Sequence, residues 1–213
     1  MQPDYGVYLV TDRALCLGRD LVDVVSAAVQ GGASLVQLRE KNCDTRDFVA
    51  LARRVQEVLE PAGVPLLVND RIDVALACGA QGVHVGQSDM HPADVRALVG
   101  PDALVGLSVE TMEHIREAES LGVDYLGVGP VYATATKPDH SKPWGMEGLR
   151  KARAVSSLPM VAIGSVNLDN ATQVMEQGMD GVAVVSALCS AHSPRDAARQ
   201  LRSMVDAVLS RRR

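Results

Sequence analysis

The chain has 213 residues, 47% hydrophobic, 22% charged and 3% aromatic, with 21 basic against 26 acidic side chains and a formal charge of -5. This composition belongs to a globular chain with a real core and excludes a disordered or low-complexity segment. The negative balance removes the electrostatic attraction behind non-specific nucleic-acid affinity, and so few aromatics leave little for base stacking.

Short apolar runs of strand length alternate with longer amphipathic segments, an order that predicts a parallel sheet with helical crossovers. The predicted strands are Gly6 to Val10, Leu35 to Arg39, Pro65 to Asn69, Gly82 to Val85, Leu104 to Ser108, Tyr125 to Val128, Met160 to Ile163 and Gly181 to Val185. The predicted helices are Leu21 to Gln30, Thr45 to Leu59, Ile72 to Cys78, Pro92 to Val99, Met112 to Leu121, Met146 to Ser156, Leu168 to Gln177 and Pro194 to Leu209. Gly32, Gly79, Gly122 and Gly178 recur between a helix and the next strand, where a helix C-cap needs positive φ. Eight near-equal units without a linker predict a single (β/α)8 TIM barrel of parallel strands spanning 1–213 as one domain, ahead of an open doubly wound sheet. With one Trp and one Phe, the core is expected to fall to Val, Leu, Ala, Ile and Met.

No run approaches the ~20 apolar residues of a membrane span, and Met1-Gln-Pro-Asp-Tyr shows no basic stretch leading into an apolar one. A cytoplasmic protein is expected. Cys16, Cys43, Cys78 and Cys189 form no C-x-x-C pair and no zinc-like spacing, which predicts reduced structural thiols.

In such a barrel the chemistry stands at the C-terminal ends of the strands. Strand two ends in Gln37-Leu38-Arg39-Glu40-Lys41, and the period of two puts Gln37, Arg39 and Lys41 on one face, turned from Val36 and Leu38. Two cations and an amide in a row suit a phosphate-rich anion, although a solvated strand end with an Arg–Glu pair presents the same residues. Asp70 and Asp89 follow adjacent strands and are spaced to approach one magnesium ion, while Asp70 is equally placed to cap the helix at Ile72. His84 alternates with Gly82 and Gly86 and faces the lumen, either as a satisfied interior histidine or as an orienter of a ligand. Gly164-Ser165 and Val185-Ser186 end strands seven and eight, where barrels often hold phosphate on backbone N–H groups. The loop from Pro130 to about Gly145 carries Thr134-Ala-Thr136-Lys137 and has the length of a functional lid. Gly106-Leu-Ser108-Val-Glu110 lacks the last glycine of G-x-S-x-G, and Gly127-Val-Gly129-Pro-Val-Tyr132 lacks the third glycine of a dinucleotide fingerprint.

Taken in order, Gln37 to Lys41, Asn69-Asp70-Arg71, His84 to Asp89, Gly106 to Ser108, Gly127 to Val131, Thr134 to Lys137, Ala162 to Gly164 and Gly181 to Ser186 resemble the thiamine phosphate synthases over nearly the whole chain. The resemblance implies a Mg2+-dependent transferase of thiamine biosynthesis. It would join an aminopyrimidine diphosphate to a thiazole phosphate, releasing pyrophosphate by a dissociative substitution. It implies that Gln37, Arg39, Lys41, Asn69, Ser108 and Lys137 hold the pyrimidine diphosphate, with Leu38, Glu40 and Ala135 among the substrate-binding residues and Lys137, Arg39 and Ser108 in the catalytic roles. Asp70 and Asp89 would be the magnesium ligands. Thr134, Thr136, Gly164, Val185 and Ser186 would meet the thiazole phosphate. The partners implied are these two small molecules, with neither nucleic acid nor membrane, and a homo-oligomer is left open. Ser165 stands where the family commonly has a second glycine, and a negative φ is expected there. The related thiazole tautomerases share the strand-two motif, and a ligand-binding regulator on the same barrel is a further alternative.

Overall fold

The computed structural model describes residues 3–133 and 142–212. Eight parallel strands close into a barrel: β1 Val7–Val10, β2 Leu35–Leu38, β3 Leu66–Asn69, β4 Gly82–Val85, β5 Leu104–Val109, β6 Tyr125–Val128, β7 Met160–Ile163 and β8 Gly181–Val184. The strands pair in chain order, and β1 closes on β8 with Val7 opposite Val182. The helices around them are α1 Leu21–Gln30, α2 Thr45–Leu59, α3 Ile72–Cys78, α4 Pro92–Val99, α5 Met112–Ala118, α6 Gly145–Arg153, α7 Ala171–Met175, α8 Ser186–Cys189 and α9 Pro194–Ser210. Among the described residues no helix is long and apolar enough to cross a membrane.

Two apolar layers hold this frame. Outward strand residues such as Val36, Leu38, Leu66 and Val83 pack with the helices, while Tyr8, Val10, Leu35, Leu67, Tyr125, Val161 and Ala183 fill the lumen. A strand covered on both faces has no polar side to spare, which is why each reads as a continuous apolar run. The lumen corrects one expectation: it is built around Tyr5, Tyr8 and Tyr125, not around aliphatic residues alone. Such rings supply large buried area, on condition that each hydroxyl finds a partner.

The N-terminal rim is tied by side chains that accept a first or second N–H of a strand. Asp124 Oδ2 accepts from Val105 N at 2.7 Å and from Arg96 Nη2 at 2.6 Å, and Asp180 Oδ2 accepts from Met160 N at 2.8 Å. Ser34 Oγ accepts from Val7 N and Gln81 Oε1 from Leu66 N. The opposite rim keeps its polar side chains for other work.

The four recurring glycines all have positive φ, between 69° at Gly122 and 108° at Gly32. Elsewhere local polar bonds moved the predicted boundaries. The seventh helix begins at Ala171, not Leu168, because Asn170 Oδ1 accepts from Asn167 N and Asn167 Oδ1 from Asp169 N, a turn that competes with helix. The fifth helix stops at Ala118, and Leu121 N bonds back to Ala118 O in a tighter turn. The sixth ends at Arg153, whose guanidinium folds back onto the carbonyls of Ser156 and Leu158. Helix α8 has four residues, too few to show a helical period in the sequence.

Candidate functional site

The inward register decides which side chains reach the mouth. Val10 pairs with Gln37, Asn69 with His84, and Ser108 with Gly127, so Gln37, Asn69, His84 and Ser108 all belong to the lumen-facing set. Leu38 is fully buried in the outer layer, which leaves only its main chain for a ligand. Beyond β2, Arg39 N donates to Thr11 Oγ1 at 3.0 Å, and its guanidinium lies 3.7 Å from Asp12. Glu40 pairs with Arg13 at 3.2 Å, with the Glu40 side chain almost wholly covered. The Arg–Glu pair anticipated for a solvated strand end therefore exists, but it is made by Arg13 and leaves Arg39 at the mouth.

Asp70 breaks the alternation of β3. Following inward Asn69 it would point to the helices, but its φ of 61° redirects the side chain, and Lys41 Nζ donates to Asp70 Oδ2 at 2.6 Å. An aspartate tolerates this left-handed conformation better than most residues. It does not cap α3: the capping position is Arg71, which makes no side-chain cap bond. The structure thus decides against the capping alternative. Gly86 to Asp89 form a tight turn in which Asp89 Oδ2 accepts from Gly86 N at 2.7 Å. That turn brings the Asp89 carboxyl beside Asp70, whose acidic group acts on it. Burial first, then this neighbour, raise the Asp89 pKa above its ordinary value against the opposing bond from Gly86.

Two neighbouring carboxylates beside the Lys41 ammonium are a donor set that fits a hard divalent cation, which takes one or two carboxylates and completes its shell with water and phosphate oxygens. Among the described residues no cluster of three or more acidic, histidine or cysteine side chains stands anywhere as a fuller cage.

Below the mouth a chain of buried polar groups crosses the lumen. Gln37 Nε2 donates to Tyr8 Oη at 2.7 Å, Tyr8 Oη and Tyr125 Oη are 2.8 Å apart, Tyr125 Oη meets His84 Nδ1 at 2.7 Å, and His84 Nε2 meets Ser108 Oγ at 2.8 Å. Burial raises the pKa of both phenols, so they stay protonated. His84 is therefore a satisfied interior histidine and, at the same time, a neighbour of the mouth. Gln87 Nε2 donates to Ser108 O at 2.7 Å and braces that strand end. Tyr8, Tyr125, Thr11 and Gln87 were not legible as site residues. A signal was present in the glycines Gly106 and Gly127 at inward positions of two successive strands, which leave room for the Tyr125 and His84 rings.

The far side of the mouth is made by the ends of β7 and β8. Tyr132 N donates to Gly164 O, and Trp144 Nε1 donates to Gly129 O at 3.2 Å, which fixes the base of the loop after β6. Thr134, Ala135, Thr136 and Lys137 lie outside the described residues. Val185 caps α8, and Ser186 is its first residue. Ser165 corrects an expectation: its φ is 54°, not negative. Its hydroxyl donates to Ala133 O at 2.8 Å, and Asn170 Nδ2 donates to Ser165 O at 3.0 Å. These bonds offset a backbone cost of roughly 1–2 kcal/mol. Ser165→Ala and Ser165→Gly both lose the hydroxyl bond, but only alanine keeps a Cβ at the φ of 54°, so it is expected to melt below Ser165→Gly by an amount equivalent to about 1 kcal/mol. Equal melting temperatures for the two variants would remove the backbone argument.

The family model for thiamine monophosphate synthase matches residues 7–188. A thiamine-phosphate synthase of Albidiferax ferrireducens is 55% identical over 202 residues, covering 95% of this chain and 92% of its own. One of Solidesulfovibrio magneticus is 56% identical over 208 residues, covering 97% and 99%. The solved thiamine phosphate pyrophosphorylase of Pyrococcus furiosus superposes with a TM-score of 0.89 at 38% identity, covering 97% of this chain and 98% of that one. Matched by the family model over most of its length and by relatives more than half identical across nearly the whole chain, the chain belongs to the thiamine monophosphate synthase family.

Proposed function

We propose that the mouth joins the methylene carbon of an aminopyrimidine methyl diphosphate to the ring nitrogen of a methyl-hydroxyethylthiazole phosphate, giving thiamine phosphate and pyrophosphate. The observation that carries this reading is Asp70 beside Asp89 and ion-paired with Lys41, on the same strand-end rim that carries Arg39 and Ser108: the rim gathers charge for a diphosphate and a cation. Magnesium held by the two aspartates would neutralise charge on the diphosphate. Arg39 offers a planar fork to phosphate oxygens and Lys41 a point charge, once a ligand competes with their Asp12 and Asp70 partners. Asn69 and Gln37 present amides to the pyrimidine.

The step itself is heterolytic. The C–O bond to diphosphate breaks with its electron pair leaving on oxygen, the positive charge spreads into the aminopyrimidine, and the thiazole nitrogen lone pair forms the new C–N bond. Such a reaction asks for a stabilised leaving group and a held acceptor, not for a protein nucleophile. Lys137, Thr134, Ala135 and Thr136 enter by resemblance alone, as closing groups on the two phosphates, with Gly164, Val185 and Ser186 completing the thiazole phosphate cup. The one-domain barrel acts on small molecules in the cytoplasm in this reading.

The test is pyrophosphate release with both substrates, each substrate alone, and with magnesium chelated. Release only with both substrates and magnesium is expected. Release that ignores the thiazole or the metal, or tautomerisation of a thiazole without pyrophosphate, would overturn it.

A further inference from the structure

We propose that Tyr125 is a positioning residue that holds His84 in its Nε2–H tautomer, so that Ser108 turns its hydroxyl proton, and not a lone pair, toward the mouth. The direction follows from proton counting. Gln37 Nε2 is a donor, so Tyr8 Oη accepts from it at 2.7 Å and its own proton goes to Tyr125 Oη at 2.8 Å. A phenol carries one proton. That of Tyr125 is then directed to His84 Nδ1 at 2.7 Å, which must be the unprotonated nitrogen. The remaining ring N–H is on Nε2 and points at Ser108 Oγ, 2.8 Å away. Ser108 accepts from the ring, and its hydroxyl hydrogen is left to a ligand.

Burial makes every bond of this chain obligatory. Tyr125 is 0% exposed, Tyr8 1%, Gln37 4% and His84 7%, so water does not substitute for a missing partner. The space is also built for these rings: a Cβ on Gly106 would collide with Tyr125 Cζ and Oη, and one on Gly127 would lie 3.1 Å from His84 Cε1. Ser108 is the partly exposed end of the chain, on the mouth side.

The chemical consequence concerns an anionic oxygen, which only accepts hydrogen bonds. With the chain running from Gln37 to Ser108, the hydroxyl donates to such an oxygen. Running the other way, Ser108 would give its proton to His84 and face the anion with lone pairs. This consequence rests on the diphosphate reading above, but the tautomer does not.

The experiment has two arms. In 15N-labelled protein without substrate, long-range proton–nitrogen correlation of His84 is expected to show a protonated Nε2 and a bare Nδ1 at neutral pH. A proton on Nδ1, or on both nitrogens, would overturn the proposal whether or not the protein makes thiamine phosphate. In turnover, Tyr125→Phe is expected to lower kcat by about 10-fold or more with a smaller change in KM for the diphosphate, the size seen when an orienting partner of a site histidine is lost. In a Ser108→Ala background the same substitution is expected to add little. An equal effect in both backgrounds would make Tyr125 a packing residue and overturn its positioning role.

Discussion

Replacing Asp89 with asparagine is expected to separate activity from stability, with turnover at limiting magnesium falling by at least about 100-fold and the fold at least as stable as before. Outer partners of a metal site cost roughly 10–100-fold when removed, and a direct carboxylate ligand is expected to exceed them. The stability side follows from the raised Asp89 pKa. A carboxyl whose folded pKa lies above its unfolded value favours the fold when protonated, and that advantage is lost as pH rises through the folded value. At neutral pH the ionised Asp89 is therefore a burden, made by burial and by the neighbouring Asp70. Asparagine removes the charge, and its Oδ1 still accepts from Gly86 N, the bond that shapes the turn. Asp70→Asn should lose comparable activity, since asparagine also tolerates the φ of 61°, but it gives up the charge partner of Lys41. Magnesium should raise the melting temperature of the unmodified protein by mass action and leave that of Asp89→Asn nearly unmoved. An Asp89→Asn protein that binds magnesium and turns over normally would dissolve the two-carboxylate site.

Periodicity explains why the frame was legible. A strand buried on both faces and a helix with one apolar face have different repeats, and Gly82–Val85, Tyr125–Val128, Leu21–Gln30 and Thr45–Leu59 occur where those repeats place them. Period also gave the inward parity of Gln37 and His84. It could not say which inward residues meet across the lumen, because that depends on the stagger between strands that are distant in the chain. Tyr8 and Tyr125 are 117 positions apart and share a hydrogen bond. The left-handed backbone of Asp70 and Ser165 was hidden for a different reason. Each conformation is held by tertiary bonds, from Lys41 to Asp70 and from Ser165 to Ala133, that no local pattern announces. The motif blocks located the mouth well because the strand ends that carry them are set by the barrel itself.

Gly106→Ala is expected to damage both stability and turnover through a single methyl group. Gly106 is inward on β5, directly against the Tyr125 ring, and its added Cβ would collide with Cζ and Oη of that ring. The ring has nowhere to slide: Tyr5 lies at 5.1 Å, His84 at 5.5 Å and Tyr8 at 5.9 Å between centroids. Overpacking of this kind costs about 1–3 kcal/mol or more, and a displaced Tyr125 hydroxyl adds about 1–3 kcal/mol for the buried bonds it abandons. For a chain of this size even the lower end, about 2 kcal/mol in all, lowers the melting temperature by roughly 4–8 °C. Turnover should fall with it, because the same movement uncouples His84 from Tyr8. Gly127→Ala makes a useful contrast: its Cβ would approach His84 Cε1 at 3.1 Å, a contact that a small ring shift relieves, so kcat should drop with little change in melting. Pairing Gly106→Ala with Tyr125→Leu removes the colliding ring atoms and should recover part of the stability while leaving turnover low, since leucine has no hydroxyl for His84. A Gly106→Ala protein that melts with the unmodified chain would show that the lumen is looser than its ring distances imply, and the polar chain from Gln37 to Ser108 would lose its rigid support.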